Sequence, residues 1–126
     1  MADRLGLTYR DLTAVLLDRG TYLAAVAIVD PAPPDAAKLK KLKPGAVMLI
    51  ARNPAAMATA RAVAAQAGEV VRDIARATDG DALRAAILER GLKPDATALV
   101  GPDQHARAMA DAAGLARFIW SADYFR

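Results

Sequence analysis

The 126-residue sequence has no cysteine, a single histidine and few aromatic residues, and each shortage excludes a class of function. Without cysteine the chain can form no disulfide, no thiolate metal site and no cysteine nucleophile. His105 has no second histidine or cysteine with which to hold a metal ion and no evident serine partner for a catalytic triad. We therefore predict no metal site and expect His105 to lie exposed in the first turn of a helix.

Long apolar runs are also absent. No segment approaches the ~20 consecutive apolar residues that a membrane span needs. The charged residues Asp3, Arg4, Arg10 and Asp11 interrupt the N-terminal region, so it lacks the continuous apolar core of a signal peptide. We expect a soluble, cytoplasmic protein that has no membrane partner.

Dense positive charge occurs in one place only. The formal net charge is +3, and the single basic run lies at the end of a short predicted helix, at Lys38, Lys40, Lys41 and Lys43. Cations at that end complement the helix dipole, and no aromatic residues alternate with basic ones as they do in proteins that bind single strands. The pattern favours a solvated structural role over phosphate binding. A nucleic-acid accessory protein that uses these lysines is therefore only an alternative hypothesis.

The length fits one domain, which we predict over residues 1–126. Hydrophobic residues make up 55% of the chain and charged residues 25%, a balance typical of globular proteins. Residues 1–22 are predicted to form an N-terminal helical extension. Thr8 is a candidate N-cap, Leu12 and Val15 fit an apolar helical period, and Gly20 ends the helix.

Apolar segments rich in β-branched residues alternate with helical patterns through the rest of the chain. The predicted strands cover 22–30, 46–51, 69–74, 96–101 and 116–120. The predicted helices cover 35–42, 54–67, a segment that Thr78 or Asp79 caps and Gly91 ends, and 104–113 capped by Asp103. Strands that are apolar on both faces predict an α/β fold, with a mostly parallel five-stranded Rossmannoid sheet in a three-layer α/β/α sandwich.

In such a sheet the functional cleft lies beyond the carboxyl ends of the strands. Asp30 closes a buried strand, where nucleophiles lie, although a turn-forming aspartate would equally suit the proline-rich loop that follows. Arg52 and Asn53 join a strand to a helix. They either bind a small anion, through the guanidinium and free backbone N–H groups, or are a solvated arginine beside an ordinary helix cap.

The segments "TDGDALRAAILERGLKPDATALVG", residues 78–101, and "DAAGLARFIW", residues 111–120, carry a family resemblance. They are similar to the part of haloacid dehalogenase-like (HAD) enzymes that has a lysine, a helix, a "GLKP" turn, a strand ending in Gly-Asp, a helix and "AAG" before the next strand. The resemblance to this superfamily covers about residues 25–120.

The first two HAD motifs are incomplete in this chain. The family has an Asp-x-Asp pair after its first strand, in which the first acid is the nucleophile and the second is the general acid and base. Here that pair is Asp30 and Ala32. The Ser or Thr that hydrogen-bonds the phosphoryl group at the end of the next strand is Ala51, whose methyl group cannot make that bond.

The remaining two motifs also depart from the family. The position of the motif lysine falls at about Ala77, with Arg76 beside it. The acids that hold Mg²⁺ in the family would follow Gly101, where this chain has Pro102, and Asp103 comes one residue late. Hard cations need several oxygen ligands, so the resemblance implies no magnesium cofactor here.

The resemblance thus implies a degenerate HAD-like domain, a non-catalytic module of pseudophosphatase type. It would have an extra N-terminal helix and no cap domain, and it would bind or regulate a protein partner or a second copy of itself. The alternative is a hydrolase with altered chemistry. In that case Asp30 is the nucleophile, and Arg52, Asn53 or Arg76 holds a small anionic substrate.

The C-terminal segment "FIWSADYFR" concentrates the aromatic residues Phe118, Trp120, Tyr124 and Phe125. We expect it to fold back against the body of the domain. A self-association patch is the other interpretation, because aromatic residues are enriched in binding hot spots.

Overall fold

The structure, a computed structural model, describes residues 25–126. The predicted N-terminal extension, residues 1–22, lies outside the described residues, as do the first residues of the predicted first strand. In chain order the described elements are β1 Ala25–Val29, α1 Asp35–Leu39, β2 Val47–Ala51, α2 Pro54–Ala67, β3 Val71–Arg76, α3 Gly80–Glu89, β4 Thr97–Gly101, α4 Gln104–Ala113, β5 Arg117–Trp120 and α5 Ser121–Tyr124. Short 3₁₀ turns at Gly68–Val70 and Pro94–Ala96 lead into β3 and β4.

The five strands form one sheet in the order β3-β2-β1-β4-β5, and every strand pair is parallel. The predicted α/β fold is confirmed at this level, and the sheet is Rossmann-like. The chain moves outward from β1 through β2 to β3, then returns to the other side of β1 for β4 and β5. The direction of winding therefore reverses between β1 and β4, which is where ligands bind in open parallel sheets.

Alternate residues of the central strands pack into two clusters. Val29, Met48 and Leu99 point to the cluster that contains Leu83 of α3 and Met109 of α4. The other cluster combines the opposite faces of the same strands with helices α1 and α2, through residues Ile28, Leu39, Leu49, Val63 and Val100. Burial on both faces explains why these strands are apolar throughout.

Two predicted boundaries are wrong. The sequence predicts the third strand at 69–74, but residues up to Val70 form a 3₁₀ turn, and β3 extends to Arg76 because it stays paired with β2 as far as Ala51. The first of the described helices ends at Leu39 and not at residue 42, because the N–H groups of Lys41 and Leu42 bond three residues back, which tightens the helix into turns.

The C-terminal segment does fold back, as expected. Tyr124 is buried in the cluster with α1 and α2, and Phe125 packs against it. Lys38 donates to the backbone oxygens of Phe125 and Arg126, which fixes this segment on α1. Among residues 25–126, no helix combines the length and apolarity that a bilayer crossing requires.

Candidate functional site

Polar side chains from three neighbouring strand ends meet at the carboxyl edge of the sheet. Asp30 follows β1, Arg52 follows β2, and Asp103 lies between β4 and α4. Because β1 lies between β2 and β4, the three residues flank the point where the winding reverses. We call these three residues, together with His105, the crevice cluster.

Asp30 has an unusual backbone. Its φ is +48°, and among residues 25–126 it is the one non-glycine residue with a positive φ. Aspartate tolerates this left-handed region better than most residues, but the conformation still has a cost. Its backbone N–H donates to Ile50 at 2.8 Å, which ties the turn to β2. One carboxylate oxygen accepts the backbone N–H of Arg52 at 3.1 Å, and the other accepts Arg52 Nε at 2.7 Å.

The far end of Arg52 crosses to the other side of β1. Its two terminal nitrogens donate to the two carboxylate oxygens of Asp103 at 2.9 and 2.8 Å, in a bidentate pair. Nη1 also lies 3.0 Å from His105 Nδ1. Because a guanidinium only donates, Nδ1 must accept in this contact, so the proton of a neutral His105 is on Nε2.

Asp103 has a second role as the N-cap of α4, since it accepts the N–H of Ala106 at 2.9 Å. Its position depends on a close approach between β4 and α4. A Cβ placed on Gly101 would lie 2.4 Å from Ala106 Cβ and 2.9 Å from Phe118 Cε1. Only glycine therefore lets α4 begin so close to the end of β4, with its cap beside Arg52.

The contacts shift the pKa values of two members of the cluster, Arg52 and Asp103. Hydrogen bonding to Asp103 is the main reason that the pKa of Arg52 is raised above its ordinary value, and bonding to Asp30 adds to it. The same contact with Arg52 lowers the pKa of Asp103 to about 2. The Arg52 side chain is only 15% exposed and that of Asp30 only 20%. The guanidinium of Arg52 thus lies between the side chains of Asp30 and Asp103.

The predicted site residues have different outcomes. Asp30 and Arg52 do come together. Asn53 is a helix cap, since its side chain accepts the N–H of Ala56 at 2.7 Å. Arg76 instead lines a separate cleft of about 400 Å³ between β3 and α3, and neither Asp30 nor Arg52 lines that cleft.

Other expectations are confirmed in part. His105 is exposed at the start of α4, as predicted, but its contact with Arg52 was not foreseen. Asp103 caps α4, as predicted, yet its bidentate pair with Arg52 was missed. The sequence signal for that pair is weak, because residues 52 and 103 become neighbours only through the strand order. Of the motif positions occupied by alanine, Ala51 and Ala77 are buried and Ala32 is exposed.

The residues of the cluster do not fit the magnesium ion that the HAD resemblance would bring. The Arg52 guanidinium already lies between Asp30 and Asp103 and bonds both carboxylates. In the part of the chain that the structure describes, no three acids, histidines or cysteines are grouped as metal ligands. A divalent cation would have to displace a positive side chain that four close contacts hold in place.

No protein-family model, no curated protein and no solved structure matches this chain. The function must therefore be inferred from the geometry of the chain itself.

Proposed function

We propose that this chain is a HAD-like domain without phosphoryl-transfer activity, in which an internal guanidinium has replaced the metal ion, and that it serves as a binding or regulatory module. The proposal covers residues 1–126 as a single three-layer α/β/α domain without a cap domain, in which residues 1–22 are the N-terminal helical extension. The bonding of Arg52 to both Asp30 and Asp103 is the observation that carries it.

The contacts around Asp30 argue against a nucleophile. Both of its carboxylate oxygens accept N–H groups of Arg52, one from the backbone and one from the side chain. A nucleophilic carboxylate must direct an oxygen lone pair at the substrate. In this cluster that oxygen would first have to leave a charge-assisted hydrogen bond of 2.7 Å.

Electrostatics argue in the same direction. Two carboxylates and one guanidinium leave one uncompensated negative charge at the crevice, which repels a phosphate ester. Phosphoryl transfer instead requires positive charge, arranged to stabilise the transferring group. Ala51 and Ala77, at the positions where the family has a hydroxyl and a lysine, supply neither hydrogen bond nor charge.

The left-handed backbone of Asp30 favours a second candidate function. Strained residues cluster at active sites, so a hydrolase that uses Asp30 on a small anionic substrate is the alternative. The two functions give opposite results with p-nitrophenyl phosphate and Mg²⁺. A non-catalytic domain gives no turnover above that of the Asp30→Asn variant, whereas turnover that Asp30→Asn abolishes would refute our proposal.

A Mg²⁺-binding experiment tests the proposal that the Arg52 guanidinium has replaced a metal ion. In Arg52→Ala the two carboxylates lose their counter-charge, and Mg²⁺ is often held by one or two carboxylates and several waters. We expect Mg²⁺ to stabilise Arg52→Ala by about 1 kcal/mol at ~5 times its dissociation constant, and to leave the wild type unchanged. Arg61→Ala, on an exposed position of α2, is the matched control. Equal responses in all three proteins would contradict the proposed replacement.

A further inference from the structure

We infer that the peptide bond between Asp30 and Pro31 is a latent self-cleavage site, which the contacts of Arg52 hold inactive. The sequence contains no other Asp-Pro bond. This inference goes beyond the proposed function, because all the reacting groups belong to the chain itself and no bound substrate takes part. It shares with that function only the hydrogen bonds that Arg52 donates to Asp30.

An Asp-Pro bond combines an attacking group with a good leaving group. A side-chain oxygen of Asp30 attacks the carbonyl carbon of its own residue and forms a five-membered cyclic anhydride. The bond from that carbon to the nitrogen of Pro31 breaks, and the nitrogen takes up a proton from solvent. A proline nitrogen leaves readily because it is more basic than that of an ordinary peptide bond. Water then opens the anhydride, so the net reaction is hydrolysis into residues 1–30 and 31–126.

The backbone around this bond is strained and held on both sides. The φ of Asp30 is +48°, whereas a proline ring restricts the residue before it to extended conformations. The N–H of Asp30 donates to the backbone oxygen of Ile50 at 2.8 Å, and that of Ala32 donates to the carboxylate of Asp35 at 2.8 Å. Pro31 is buried between these anchors. Cleavage would release the strain at Asp30, which favours the reaction.

Arg52 keeps the attacking oxygens of Asp30 occupied. Oδ1 accepts the backbone N–H of Arg52 at 3.1 Å, and Oδ2 accepts Nε at 2.7 Å. An oxygen has to leave one of these hydrogen bonds before its lone pair can turn towards the carbonyl carbon of Asp30. Intramolecular attack depends strongly on the orientation of the reacting groups. The contacts therefore direct the carboxylate away from its own chain.

The guanidinium of Arg52 is itself held from the opposite side. Its terminal nitrogens donate to Asp103 at 2.9 and 2.8 Å, and Nη1 lies 3.0 Å from His105 Nδ1. The side chain is only 15% exposed, so it does not simply follow Asp30 into a new position. Replacing Arg52 with alanine removes the bond to Oδ2 and leaves the backbone contact with Oδ1. Oδ2 is therefore the oxygen that such a variant frees for attack.

Intact-mass spectrometry of the full chain in a mildly acidic buffer is the direct test, because acid supplies the proton that the nitrogen of Pro31 needs. Circular dichroism checks that each variant is folded in this buffer. Folded wild type should be cleaved at least about 10-fold more slowly than wild type unfolded in urea, where Arg52 no longer holds Asp30. Folded Arg52→Ala should be cleaved about 10-fold faster than folded wild type.

Three further variants show which groups are responsible. Arg90→Ala removes an arginine that holds Asp73 at 2.9 Å on the edge strand, and it should be cleaved at the wild-type rate. Pro31→Ala in the Arg52→Ala background replaces the leaving group and should stop cleavage. Arg52→Lys keeps the positive charge but has no guanidinium fork, so it should also be cleaved faster than wild type. It replaces Arg52→Ala in the comparison if that variant does not fold.

Three results would overturn the inference. These are folded wild type that is cleaved as fast as its unfolded chain, folded Arg52 variants that stay as intact as wild type, and cleavage that persists without Pro31. None of them bears on the proposed function, which the phosphatase assay and the Mg²⁺ response of Arg52→Ala test. Conversely, turnover that depends on Asp30 would refute the non-catalytic assignment and leave the cleavage prediction untouched.

Discussion

Arg52 and Arg90 each lie between two acids, but they do different things to the surface around them. Arg52 is 15% exposed and joins the ends of two strands and the start of a helix through Asp30 and Asp103. Arg90 is 20% exposed and holds one acid firmly, Asp73 at 2.9 Å, while its second acid lies 3.8 Å away. The first arrangement closes a crevice, and the second leaves a cleft open beside it.

The difference follows from strand order. At the centre of a parallel sheet, the ends of neighbouring strands bring side chains together from both sides, so one arginine can satisfy two carboxylates. At the edge strand β3 there is a neighbour on one side only, and the remaining partner must come from α3. The central site is therefore suited to holding charges in place, whereas the edge keeps a cleft between β3 and α3.

Replacing each arginine with alanine should give the largest difference between the two regions in the free energy of unfolding. Arg52→Ala leaves two carboxylates, one of them mostly buried, without their donor, so we expect a loss of about 3 kcal/mol in the free energy of unfolding. Arg90→Ala breaks a pair in which Asp73 is half exposed, and about 1 kcal/mol is expected. Urea denaturation of both variants and of Arg61→Ala measures the contrast. Equal losses at positions 52 and 90 would show that strand order does not separate the two regions.

The strain at Asp30 gives a smaller effect that is also confined to the crevice cluster. Asp30→Ala and Asp30→Gly both remove the carboxylate that binds Arg52. They differ in the cost of a φ of +48°, which glycine adopts without strain and alanine does not. We expect the glycine variant to be more stable than the alanine variant by about 1 kcal/mol. The measurement is again urea denaturation.

A matched pair of substitutions provides the control for that prediction. Asp73 lies on the edge strand with an ordinary extended backbone, so Asp73→Gly should be less stable than Asp73→Ala. Glycine should therefore give the more stable variant at position 30, and alanine should give the more stable variant at position 73. The same order at both positions would mean that Asp30 stores no backbone strain.

Much of the fold could be predicted from the sequence because the signals are local. The strands β1, β2 and β4 are continuous apolar runs, and Asn53, Asp79 and Asp103 each cap the helix that follows. The bounds of β3 were missed because an edge strand with exposed charged residues has no clear apolar pattern. Local signals also placed Asp30 and Arg52 correctly at strand ends.

The composition of the site could not be predicted to the same extent, because it depends on which strand ends are neighbours. Arg76 is predicted to join Asp30 because it lies beside Ala77, the position that the HAD resemblance matches to the motif lysine. In the sheet β2 separates β3 from β1, and Arg76 turns to a different cleft. Asp103 was assigned only as a cap. Its pairing with Arg52 exists because β1 lies between β2 and β4, and nothing in the spacing of residues 52 and 103 indicates that order.

The smallest expected effect is the pH dependence that Asp103 gives to the crevice cluster. Its pKa is about 2 in the folded chain because Arg52 bonds both oxygens, whereas the ordinary value of 3.8 applies when the chain is unfolded. A depressed carboxyl pKa stabilises the fold above the unfolded value, and this contribution is lost as the pH falls from about 4 to about 2. Solvent screens a side chain that is 47% exposed, so the change should be modest.

Acid denaturation should therefore be less steep in Asp103→Asn than in the wild type. Asp79→Asn changes an equivalent helix cap that contacts no arginine in the described residues, and it is the control. If Asp103→Asn and the wild type gave parallel curves between pH 4 and 2, Arg52 would not hold Asp103 in solution as it does in the structure.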